Sequence, residues 1–160
     1  MSETHTDASG TRTSGQDQAI RLARLRGASF GVVVMLIVQF ILGMIYNLYG
    51  TAPTSTKSIG LFSSPDLALH VILGAVLFLA AIGQLVQAIR VRHNLSIWLS
   101  ALGLVSILGA GLAGLGFTGS GAAGASLGMS LAFAVALACY AILVFALPSS
   151  ASAGSGPSTT

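Results

Sequence analysis

The chain alternates between long apolar runs and short polar breaks, and the runs are too long for a soluble core. Residues 28–49 carry no charge over 22 positions. At a rise of about 1.5 Å per residue, roughly 20 apolar residues cross a hydrocarbon layer of about 30 Å. Three more runs follow at 65–89, 95–117 and 125–147. The pattern predicts an all-α membrane protein whose four transmembrane helices form an up-down bundle, with residues 28–147 as the membrane domain. Residues 1–27 are expected to be a disordered basic tail, because the stretch to Ala19 is rich in Thr, Ser, Gly and Asp without an apolar period. Residues 148–160, rich in Ser and Gly behind Pro148, are expected to be a second disordered tail. A cleaved signal peptide does not suit the first run. Signal cores are about 7–15 residues long, whereas this run is longer and ends in Tyr46-Asn47-Leu48-Tyr49, an interfacial aromatic pair.

Punctuation sharpens the second and third spans. Ser64 can cap, Pro65 fits the first helical position, and Asp66 suits the positive end of the helix dipole. Asn94 is expected to cap the third span, with Trp98 near its interface. Small residues recur every four positions as Ser106-Ala110-Gly114, as Ser126-Ser130-Ala134-Ala138, and in a parallel row Gly128-Ala132-Ala136. Such rows let helix backbones approach in lipid, where no hydrophobic drive separates helix from solvent. The third and fourth spans should therefore form a tight antiparallel hairpin. The link between them, Gly119-Ser120-Gly121-Ala122-Ala123-Gly124, spells a dinucleotide-binding fingerprint but lacks its context. That motif needs a preceding strand and an acid about 20 residues further on, and no acid follows Asp66.

Composition agrees with lipid. Hydrophobic residues make up 54% and charged residues 7% of the chain, against about 25% charged in soluble domains. The net charge of +3 is distributed by topology. Arg12, Arg21, Arg24 and Arg26 precede the first span, Arg90 and Arg92 lie between the second and third, and Lys57 alone lies between the first and second. The positive-inside rule then puts both termini and the Arg90–Arg92 link in the cytoplasm of a multi-pass plasma-membrane protein. The basic turn 20–27 should sit against anionic headgroups. No basic stripe with interleaved aromatics suggests nucleic acid. Cys139 has no partner within the chain for a disulfide.

Candidate chemistry gathers near the outer face. Gln39, Gly43 and Tyr46 fall on one stripe of the first span with Asn47 at its margin. Asp66, His70, Gly74, Leu77, Ala81 and Gln84 lie within about 40° of one line on the second. Asp66 and His70 are one turn apart, so the carboxylate can contact the imidazole. An ionisable group inside the membrane marks a functional site by default, and the polar cluster is Gln39, Tyr46, Asn47, Asp66 and His70. One reading makes His70 a helix-end residue bonded to Asn47 or Tyr46. A second makes it a haem b ligand with Gly74 leaving room for the ring, paired with a weaker ligand or with His70 of a second copy. His93 lies about 35 Å away along the axis and cannot complete that site. A proton-coupled transporter is disfavoured because no acid lies mid-membrane. No catalytic constellation converges, so the expectation is a non-enzymatic structural or partner-binding subunit, acting as a homodimer or within a larger membrane complex.

The run Leu42-Gly43-Met44-Ile45-Tyr46-Asn47-Leu48, with Leu69-His70-Val71-Ile72-Leu73-Gly74 after a Pro-containing loop, resembles small four-span integral membrane proteins of actinobacteria over about residues 28–147. That resemblance implies the topology and draws attention to Asn47 and His70, with no activity attached. A looser likeness joins the His-plus-Gly helix to one half of a haem A synthase type bundle, implying haem at His70 and Gly74. The second helix histidine of that pattern is missing here.

Overall fold

The computed structural model describes residues 8–50, 53–54 and 56–147, with side chains from residue 15 onward. Its elements are four helices, α1 (Ala8–Tyr49), α2 (Pro65–Val91), α3 (Asn94–Ser120) and α4 (Ala123–Ala146). All four contain segments long and apolar enough to cross a membrane, so the chain is an all-α, multi-pass membrane bundle. Each helix packs on its chain neighbours and α1 closes the ring on α4, while the backbones of the diagonal pairs α1–α3 and α2–α4 stay apart among the described residues. The most extensive contact is the α3–α4 hairpin, as its small residues demand. Ala113 faces Gly128 and Gly116 faces Ala125, where a Cβ added to either glycine would lie 3.9 Å from the alanine methyl.

Helix ends follow the local chemistry, with one exception. Ser64 caps α2, its hydroxyl accepting from the Leu67 amide at 3.4 Å, and Pro65 opens the helix. Asn94, expected as a cap, is instead the first residue of α3, and His93 takes the cap position without a side-chain bond to the helix backbone. A link of two residues leaves no room for a longer turn. Arg92 closes α2 in the left-handed conformation at φ 58°. Gly121 does the same for α3 at φ 66°, so the fingerprint-like sequence is a helix stop joining two helices.

The first helix departs most from expectation. The tail through residue 27 was expected to be disordered, yet α1 already runs from Ala8 to Tyr49 over 42 residues, roughly 60 Å at helical rise. No proline interrupts residues 8–49, and the section before the span has its own tertiary support. Leu25 is fully buried in the common core with Val32, Leu36, Leu77, Ala81 and Ala88. Further toward the N-terminus, Asp17, Gln18 and Arg21 share a cleft with Arg90 and Val91 at the end of α2. Residues 148–160, the other expected tail, lie outside the described residues.

At the opposite end, the link between α1 and α2 folds over the α3–α4 turn. Thr54 and Lys57 exchange two backbone bonds of 3.1 Å, and the Ile59 amide donates to the Thr118 carbonyl at 3.0 Å. The Pro53 carbonyl rests against Gly121, where a side chain would collide with it.

Candidate functional site

The polar stripes of α1 and α2 face one another, and each fills a gap in the other. On both helices a polar residue is followed four positions later by glycine: Gln39 with Gly43, and His70 with Gly74. Because α1 and α2 run antiparallel, the polar residue of each meets the glycine of the other. A Cβ on Gly74 would lie 3.0 Å from Gln39 Nε2, and a Cβ on Gly43 would lie 3.2 Å from His70 Cε1. Gln39 donates from Nε2 to the His70 carbonyl at 2.9 Å. In lipid such interhelical bonds are worth about 0.6 kcal/mol on average, so close packing at the glycines carries as much weight as the bond. Gln39 Oε1 and His70 Nδ1 are both buried without a hydrogen-bond partner.

The remaining members of the expected cluster are placed differently. Asn47 and Asp66 are exposed, and Tyr46 is half-buried. His70 Nδ1 makes no hydrogen bond to Asp66, although the two are one turn apart. The physical reason is position along the helix. The imidazole points across to Gly43, whereas Asp66 opens the helix beside Ser64 and faces out. Of the cluster Gln39, Tyr46, Asn47, Asp66 and His70, the structure interlocks Gln39 and His70 with their two glycines.

This packing bears directly on haem. A porphyrin ligated by His70 needs the Gly74 face free, and the Gln39 amide occupies it, while Gly43 lies against the Cε1–Nδ1 edge of the imidazole. The residues present do not fit haem at this position. No group of three His, Cys, Asp or Glu side chains converges for a metal among the described residues.

A second polar contact lies toward the other end of the bundle. Gln84, on the inward line of α2 with Leu77 and Ala81, is buried. Its Nε2 donates to Ser29 Oγ and, at 3.2 Å, to the Leu25 carbonyl. Ser29 Oγ donates to the same carbonyl at 2.9 Å. Ser29 escaped the sequence analysis. Its only signal was a hydroxyl at the start of an apolar run, which is common in helices that satisfy it locally.

The two small-residue rows of α4 separate in the same way. Gly128, Ala132 and Ala136 turn toward the bundle, with Ala136 fully buried, and continue into Tyr140 and Leu143. Ser130, Ala134 and Ala138 are exposed on the outside. The Ser130 hydroxyl is satisfied by the Ser126 carbonyl at 3.0 Å.

No protein-family profile, curated protein or solved structure matches the chain. What the fold and site define is a class: an integral membrane four-helix bundle with an interlocked polar seam between its first two helices.

Proposed function

We propose that this protein is a structural, partner-binding subunit of the plasma membrane, and that a second copy of the chain is its simplest partner. The observation that supports this is the outward row Ser130-Ala134-Ala138 on α4. These side chains are small where lipid would accept large ones, and rows spaced by four let another helix approach closely. Inside the bundle, Gln39 and His70 pack against each other's glycines. Both termini are assigned to the cytoplasm by the arginines at 12, 21, 24, 26, 90 and 92.

The test is native mass spectrometry of the protein released from lipid nanodiscs, with an Ala134→Ile variant beside it. A dimer that becomes a monomer in the variant supports the proposal. A native protein that is monomeric at every loading ratio rules out self-association as the role of this face.

A further inference from the structure

At one level of the bundle, every helix contributes one fully buried polar side chain: Ser29 from α1, Gln84 from α2, Ser100 from α3 and Tyr140 from α4. The level follows from position along each helix. Gln84 is seven residues before the end of α2, Ser100 six after the start of α3, and Tyr140 six before the end of α4. Each lies about 9–10.5 Å inside the same end of the bundle, and Ser29 is tied to that level by its bond to Gln84. Four polar residues sharing one layer in hydrocarbon is costly unless each is satisfied.

They are only half satisfied by one another. Both Gln84 Nε2 protons go to Ser29 and Leu25, and Ser29 bonds to Leu25. Gln84 Oε1, Ser100 Oγ and Tyr140 Oη are buried with no hydrogen-bond partner. Tyr140 is fixed where it stands, because its ring lies over Gly103, with Oη 3.2 Å from where a Cβ would be. Ser100 is three residues before Gly103 on the same face of α3.

We propose that this layer is a binding site for one internal water molecule. The donor and acceptor count matches. Tyr140 and Ser100 each offer an O–H, which a water accepts on its two lone pairs, and Gln84 Oε1 accepts a proton in return. That is the coordination of a typical buried water, with about three bonds to otherwise unpaired groups. Further polar side chains of α3 lie between this layer and the helix start. His93 Nδ1 and Ser96 Oγ are 3.0 Å apart at the helix start, and Ser96 and Ser100 follow one another at one-turn spacing. Beyond the layer the core is apolar, with Leu77, Ile107 and Leu36, so the water site is a closed end and not a channel.

Microsecond hydroxyl-radical footprinting of the native protein in nanodiscs tests this without a variant, since radicals form at bound water. Tyr140 is expected to be modified despite its burial, while Leu143, equally buried one turn on, is not once rates are corrected for intrinsic reactivity. Gln84→Met should then lower the Tyr140 modification several-fold. Tyr140→Phe supplies a second readout: loss of a bridged hydroxyl lowers the unfolding temperature, whereas loss of an unpaired one leaves it unchanged or raises it. Tyr140 modified no faster than Leu143 overturns the proposal. So does a lowered unfolding temperature in Tyr140→Phe without modification of the native residue, which would indicate a direct bond between side chains.

Discussion

Gln39 on α1 donates from Nε2 to the main-chain carbonyl of His70 on α2 at 2.9 Å, and its amide rests on the glycine one turn beyond that histidine. The bond ties a side chain to backbone, so it holds α2 whatever the side chain at position 70. Gln39→Leu is expected to lower bundle stability by about 0.5–2 kcal/mol, the range of single interhelical hydrogen bonds in lipid. His70→Ala should leave this bond in place and lose only packing against Gly43. Reversible unfolding in mixed micelles checks both, and equal large losses would show that the bond needs the imidazole.

Glycines divide sharply by what surrounds them. A Cβ on Gly103 would stand 2.7 Å from the Tyr140 ring, and overpacking of this kind costs about 1–3 kcal/mol. Gly83 and Gly109 face open space, so alanine there should stabilise by up to about 1 kcal/mol through helix propensity. Gly103→Ala, Gly83→Ala and Gly109→Ala measured side by side should give opposite signs. A neutral Gly103→Ala would mean that Tyr140 lies elsewhere.

Ser29→Ala removes one acceptor of the Gln84 amide and leaves the Leu25 carbonyl as the other. The expected loss is about 1 kcal/mol. Ser29→Ala combined with Gln84→Leu should cost less than the sum of the two, because both changes break one contact. Additive losses would separate the two residues.

Haem gives a spectroscopic test. With Gln39 on Gly74 and His70 on Gly43, protein purified after expression with a haem precursor is expected to show no Soret band in either oxidised or dithionite-reduced spectra. A band that sharpens on reduction and is absent from His70→Ala would show that the α1–α2 seam opens to admit a porphyrin.

The orientation is testable by fusion. A C-terminal reporter active only in the cytoplasm should be active in the native protein. Activity of a periplasmic reporter at the same position would reverse the assignment of both ends.

The sequence by itself determined the number of spans, the Ser64–Pro65 start of α2, the α3–α4 hairpin and the irrelevance of its fingerprint-like link. These depend on run length and on local chemistry within a turn or two, which any chain segment carries with it. It also held both halves of the seam, the Gln39–Gly43 and His70–Gly74 spacings, without showing that they interlock. Only the tertiary structure decided that, and with it which α4 row faces inward, that Asp66 and Asn47 stand outside, and that α1 continues back to Ala8. The reason is the solvent. In water an apolar stripe points to the core, but in lipid both faces of a helix are apolar, and periodicity no longer says which face meets a neighbour. Azimuth is then set by the closest fit of small residues to large ones on another helix, as Gly103 under Tyr140 shows, and that fit belongs to pairs of helices rather than to any one of them.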